Sequence, residues 1–334
     1  MTMLTIRHNT PAPPLTPAGE PWTRHTTPRT LTTTVPREYV HRRSHAEVFL
    51  TGCHRTGPHT FTLTGQWPRA HTFFTSPDGT RHDPLQVGET IRQSGLYLCH
   101  TAYGVPLDHH ILLWSLDFTT HPDQLHIDTT PTDLTITATC TDFTRKGNRL
   151  TGTLHATLHR GNHTTGHGTA HFTTIPPTTY NRLRRPHITP PTNTPNTPTT
   201  PNTPHPHHTP LPPLTPTTTG RHHPHDVILT PTHNPHQFTL TPDLTHPILF
   251  EHTNDHHPGM VLIEAARQAT HHLHHPHPYT PTTITTHFHT YAELHTPTTL
   301  TTTTHTPTHT TITAHQNNTP IYTTTLTTTP TTNH

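Results

Sequence analysis

The chain has 334 residues, room for two domains of ordinary size, and a formal net charge of only +1. That near-neutrality excludes nucleic acid or an anionic membrane held by bulk charge. With 43 His and 41 Pro, Thr commoner than either, and only 26% hydrophobic residues, a generous core over the whole length is excluded too. Thr, His, Pro and Asn share cytosine-rich codons, so a single His outside a motif reads as compositional background. Cys53, Cys99 and Cys140 are isolated, with no Cys-x-x-Cys, so no metal site is read. No long apolar run and no signal-peptide core are present, which predicts a soluble cytoplasmic protein.

In chain order, residues 1–34 are Thr/Pro-rich and predicted disordered. A first domain over 35–175 opens at Val35-Pro-Arg-Glu-Tyr-Val-His41, with a strand expected at Glu47–Leu50. Phe61–Trp67 alternates and leads to a short strand at His71–Phe74, then a helix from Pro84 to Tyr103. His110–Phe118, Leu134–Cys140, Leu150–Leu158 and Gly168–Phe172 read as strands, with a turn at Lys146-Gly147-Asn148. Residues 176–225 collapse into Pro, Thr, Asn and His and read as an extended linker, removable over Asn193–Thr219. The second domain, 226–330, has strands at Asp226–Leu229 and Gln237–Leu240. It then has a short strand Ile248–Phe250, a His-rich loop, and a helix entered at Pro258. Thr-rich strands follow at Thr283–Leu294, Leu300–His305, Thr310–His315 and Ile321–Leu326. One helix followed by antiparallel strands gives an α+β order.

The two domains repeat one another. His71, Glu89, Arg92 and Gln93 match His246, Glu264, Arg267 and Gln268 at a constant offset of 175 residues. A Glu-x-x-Arg-Gln helix placed twice predicts a duplicated unit, an intramolecular pseudo-dimer. Charges on an apolar helix need a reason. A desolvated Glu264 is expected to have a raised pKa and to serve as a base. Glu89 and Arg92 are the pair corresponding to Glu264 and Arg267. The bland alternative is that each Glu and Arg pair only fixes helix packing, and Asp255 and His256 read as loop-ordering residues.

Gln66-Trp-Pro-Arg-Ala-His71, Asp83-Pro, Glu89-Thr-Ile-Arg-Gln93, Asp255-His256, Pro258-Gly-Met-Val-Leu and Glu264-Ala-Ala-Arg-Gln268, in this order, resemble the A-factor biosynthesis (AfsA) family. The resemblance implies two hotdog units, each a long helix wrapped by an antiparallel sheet. It implies transfer of a β-ketoacyl group from acyl carrier protein to dihydroxyacetone phosphate in γ-butyrolactone synthesis, with no cofactor. For that transfer backbone N–H groups near Gly259 and Met260 are expected to stabilise the oxyanion, and Arg267 to hold the phosphate. The second unit is also similar to hotdog dehydratases, which makes His252 with Glu264 the acid–base pair of a dehydratase or thioesterase alternative. An inactive acyl-binding module and a metal-buffering His-rich protein are the non-enzymatic rivals. The Glu-x-x-Arg-Gln repeat counts against the last. Association beyond the pseudo-dimer is left open.

Overall fold

The computed structural model describes residues 32–188, 211–251, 254–277 and 279–330. The segment expected to be disordered (1–31 of it), the middle of the expected linker and His252 lie outside the described residues. The first unit contains β1 (Leu50–Arg55), β2 (Thr60–Trp67), α1 (Leu85–Thr101), β3 (His110–Thr120), β4 (Thr132–Lys146), β5 (Arg149–Arg160) and β6 (His163–Ile175), followed by α2 (Pro177–Ile188). The second contains a short α3 (Pro216–Thr219), β7 (Leu229–Pro231), β8 (Gln237–Leu240), α4 (Gly259–His274), β9 (Tyr279–Phe288), β10 (Thr299–Thr306), β11 (His309–Gln316) and β12 (Thr319–Pro330).

All these strands form one antiparallel sheet in the order β1-β2-β4-β5-β6-β3-β9-β12-β11-β10-β8-β7. Read from either end towards the β3–β9 junction, the order is the same, so the duplication is a pseudo-twofold. At the junction Ser115 to Thr119 pair with His287 to Thr283. Thr120 donates to the Pro281 carbonyl at 3.0 Å, and Asp117 accepts from the Thr286 N–H at 3.0 Å.

A sheet buried on one face needs few apolar residues. In β4, Leu134, Ile136, Ala138 and Cys140 point inward, while Thr135 and Thr137 face out. In β11, Ile312 and Ala314 are buried and alternate with the half-buried Thr311, Thr313 and His315. Thr supplies the β-branch that a pleated outer face favours. Helix α1 lies against β3, β5 and β6, and α4 against β9 and β12. The glycine that weakens α1, Gly88, lies where the helix meets Phe118 of β3 closely. A Cβ there would stand 2.7 Å from the Phe118 ring.

Three strand expectations are corrected: of Asp226–Leu229 only Leu229 lies in a strand, β7, after a 3-10 turn over 224–226. His71–Phe74 and Ile248–Phe250 are turns. In the first, His71 Nδ1 accepts from the N–H groups of Phe73 and Phe74 at 3.2 and 3.1 Å. In the second, His246 Nδ1 accepts from Ile248 and Leu249 at 3.1 and 3.0 Å. A side-chain acceptor that gathers two successive N–H groups bends the chain and competes with a ladder. Residues 45–47 form a 3-10 turn before β1, and β9 stops at Phe288, six residues short of the expected Leu294. The stretch 176–225, expected as an extended linker, contributes α2 and α3. It also supplies buried residues, among them Tyr180, Arg184, Thr219 and Arg221.

Candidate active site

Each central helix carries its Glu-x-x-Arg-Gln motif inward, and both carboxylates are saturated. Glu89 accepts from Arg92 Nε and Nη2, both at 2.8 Å, from Arg42 Nε at 3.2 Å and from Gln93 Nε2 at 2.8 Å. Glu264 accepts from Arg267 Nε and Nη2 at 2.8 and 2.9 Å, from Gln268 at 2.6 Å and from Arg221 Nε at 2.7 Å. Arg221 Nη2 makes a further short contact to it. Gln93 also ties Phe49 N–H to the Glu47 carbonyl, and Gln268 ties Ile228 N–H to the Asp226 carbonyl. The two motifs thus do the same structural work in both units.

The expected raised pKa of Glu264 is corrected. Burial pushes the carboxyl up, but Arg221 and Arg267 on either side outweigh it and hold it down at about 2. Burial and the Arg42 and Arg92 guanidiniums act in the same way on Glu89, which sits well below the usual carboxylate range. Neither is poised to take a proton near neutral pH. Arg267 is equally committed, donating to Glu264 and to the Thr219 carbonyl at 3.0 Å.

The second arginine of each cluster crosses between units. Arg42 donates to the Ile248 carbonyl at 3.2 Å and to Glu251 at 3.0 Å. Arg221 donates to the Phe73 carbonyl at 2.6 Å and to Asp83 at 3.1 Å. Sequence reasoning did not assign this pair, because Arg42 and Arg221 are offset by 179 residues and not by 175. The chain turns at Gly220, just before Arg221, in the left-handed region with φ +65. A Cβ there would lie 2.6 Å from the His271 ring and 3.2 Å from Arg267 Nη1. Gly220→Ala is therefore expected to lower stability by at least about 1–2 kcal/mol from the backbone alone. Denaturant unfolding measures it.

A cavity of about 1090 Å³ opens between the units. One wall is α1, through Arg92, Gly95, Leu96 and Cys99, and another is the start of β3. The second unit supplies the loop 254–258, the first residues of α4 (Gly259 and Met260) and the segment after β9. Arg92 lines this space, whereas Glu89, Glu264 and Arg267 do not. The pseudo-equivalent space beside α4 is filled. Thr270 stands where α1 has Gly95 and is buried, His271 packs against Tyr279 with ring centroids 5.3 Å apart, and Tyr279 donates to the Arg267 carbonyl.

At the cavity, Asp255 and His256 form a tight pair, with His256 Nδ1 2.6 Å from Asp255 Oδ1. Tyr180 donates to the same oxygen at 2.6 Å, and Arg184 Nε to the other at 2.8 Å. Arg184, almost fully buried, also forks onto Glu293 at 2.6 and 2.7 Å. His110 stacks flat on Tyr180 at 3.5 Å, and Tyr291 meets His256 edge-on at 4.8 Å. Burial pushes Asp255 up, but the bonds from His256, Tyr180 and Arg184 outweigh it and hold it well below the ordinary carboxylate range. A fixed anion at Nδ1 keeps the proton there and leaves His256 Nε2 as the basic nitrogen. Tyr180 and Arg184 carried no signal in the sequence, since they fall in the Pro/Thr-rich stretch taken as linker.

The N-terminus of α4 has no side-chain cap. The N–H groups of Val261 and Leu262 reach the Pro258 carbonyl, and those of Gly259 and Met260 have no acceptor among the described residues. Its counterpart on α1 is different: Asp83 accepts from Leu85 N–H at 2.8 Å. The adjacent His257 is buried, and burial pushes it down to about 4, so it is neutral.

His225, Asp226 and His246 offer ligand atoms within 4.8 Å of one another. Because His246 Nδ1 accepts two backbone N–H groups, its Nε2 carries the proton it shares with Asp226 at 2.9 Å. That nitrogen has no lone pair for a metal.

The A-factor biosynthesis hotdog domain family (AfsA) matches residues 23–176 and 202–332, one segment for each unit. The chain belongs to the AfsA family. Among curated relatives, a 2-oxo-3-(phosphooxy)propyl 3-oxoalkanoate synthase of Streptomyces virginiae is 38% identical over 79% of this chain and 85% of its own. A protein of the same name from Streptomyces coelicolor is 32% identical over 78% of each. Among solved structures, the 12:0-ACP thioesterase from Umbellularia californica aligns over 83% of this chain and 100% of its own, with 10% identity and a TM-score of 0.49. The AfsA fold of this chain is a tandem hotdog. Among the described residues no helix is long and apolar enough to cross a membrane.

Proposed function

We propose that the protein joins a 3-oxoacyl group to the hydroxyl of dihydroxyacetone phosphate, forming the precursor of a γ-butyrolactone signal. The observation that carries this reading is the joint placement, around one chamber, of the Asp255–His256 pair, the uncapped start of α4 and Arg92. The names of the Streptomyces relatives supply the two substrates. The apolar part of the chamber, including Leu96, Ile111 and Phe172, suits an acyl chain, which arrives as a thioester on acyl carrier protein.

His256 Nε2 takes the proton of the attacking hydroxyl as its oxygen bonds to the thioester carbonyl. The oxyanion that forms meets the N–H groups of Gly259 and Met260 at the positive end of a 16-residue helix. Collapse expels the thiolate, which recovers the proton from His256 as the ester forms. Arg92, one-fifth exposed and anchored to Glu89 through Nε and Nη2, keeps Nη1 for the phosphate. Glu89, Glu264 and Arg267 support these groups from behind.

Incubation of the purified protein with a 3-oxoacyl thioester and dihydroxyacetone phosphate, followed by mass spectrometry, tests the reading. The phosphate-bearing ester is the expected product. Free 3-oxo acid alone would make the protein a thioesterase, and unchanged thioester an acyl-binding module.

A further inference from the structure

Of the four large apolar side chains exposed among the described residues, three border this one cavity: Leu107, Trp114 and Leu183. The fourth, Leu244, does not. Leu183 projects from α2, whose inner side is fastened by the buried Arg184 to Asp255 and Glu293. The neighbouring Arg182 is exposed on that helix.

The strand register brings more positive charge to the same end of the sheet. Ile175, the last residue before α2 begins its approach, pairs with His110 on the cavity wall. Leu150 pairs with Thr174, and Lys146 with Arg149, so the exposed β4–β5 turn lies beside the start of α2. Against these cations the rim shows the exposed Asp108, 3.1 Å from His109, while Asp255 and Glu293 are taken up by Arg184. In a chain of net charge +1 this is a local excess of positive charge around an apolar rim.

We propose that the rim formed by α2 and the β4–β5 turn docks a small acidic carrier protein that delivers the acyl thioester on a flexible arm. The inference rests on the acyl-transfer reading and places the surface at which its donor docks. Apolar contacts at Leu107, Trp114 and Leu183 seat the partner at the entrance, and the surrounding cations steer it there. The arm then enters between α1 and the loop 254–258, while the carrier stays outside.

The test uses the full chain and two charge-reversed variants, Arg182→Glu and the double change Lys146→Glu with Arg149→Glu. Binding of holo-acyl carrier protein is measured directly, and turnover is followed with the same 3-oxoacyl group on carrier protein and on pantetheine. Each variant is expected to weaken carrier binding roughly tenfold, as rim charges do by slowing association. The apparent KM for the carrier-bound donor should rise in step, and the pantetheine donor should react as with the parent. Unchanged carrier binding in both variants overturns the proposal, as does an equal loss with both donors, which would assign these residues to folding. A change in the oligomeric state of the protein alone would make the rim a self-association surface and overturn it as well. If the parent turns over neither donor, the acyl-transfer reading fails, while the binding measurement still decides the surface.

Discussion

Glu264→Gln will lower the unfolding free energy by about 3–5 kcal/mol, the scale expected when one partner of a buried ion cluster is removed. Glu264 is fully buried between Arg221 and Arg267. A neutral amide in its place keeps the volume but leaves both guanidiniums with too little negative charge. Adding Arg267→Met should recover a good part of the loss, because it withdraws one orphaned cation while keeping a packing stem. Denaturant melts of the parent, both single variants and the double variant form the cycle. The carboxyl also sets an acid limit. Its value in the folded protein, about 2, is depressed below the ordinary 4.5. The stability it contributes is therefore complete above about 4.5 and is lost as the pH falls towards 2. A Glu264→Gln protein as stable as the parent but inactive would reverse the assignment and make this residue the base.

His256 should fail in the opposite manner. His256→Ala is expected to reduce turnover by a factor on the order of 10² to 10⁴, the range typical of a positioned acid–base group. The effect on melting should be small, since its side chain is about one-quarter exposed. Asp255→Asn removes the anion that orients the ring but leaves Arg184 bound to Glu293. It should also slow turnover, by less than the loss of His256 itself, with substrate affinity nearly unchanged. Parallel kinetics and melts on the same samples separate these outcomes. Normal turnover by His256→Ala would remove this residue from the mechanism.

Much of the architecture was legible because it rests on spacing. The ungapped match of His71 and Glu89 to His246 and Glu264 foretold the duplication, and alternation foretold β3, β4, β5 and β6. The turns at His71 and His246 were not legible. A short apolar run after a histidine looks like a strand until the ring nitrogen is seen to gather two backbone N–H groups. The direction of the Glu264 pKa was missed for a related reason. Burial could be read from the apolar helix, but the opposing charge of Arg221 comes from a stretch whose composition resembles a linker. The same composition concealed Tyr180 and Arg184, the partners that tie Asp255 at the chamber. Whether a proline-rich stretch packs depends on where its few charged and aromatic residues land, and hydropathy does not record that.

The β3–β9 junction also bears on how the chain is made. Strand β3 pairs on one side with β6, which follows it within the same unit, and on the other with β9, which lies beyond α4. A nascent first unit therefore leaves the ribosome with Ser115–Thr119 as an open edge, and Arg42 still lacks Ile248 and Glu251. At ordinary elongation rates that state lasts seconds before the second unit follows. An uncovered edge of this kind is a template for pairing with another nascent chain. Tethering both units in one polypeptide shortens the interval and raises the local concentration of the correct partner. A version expressed as two separate halves would meet that hazard without the tether.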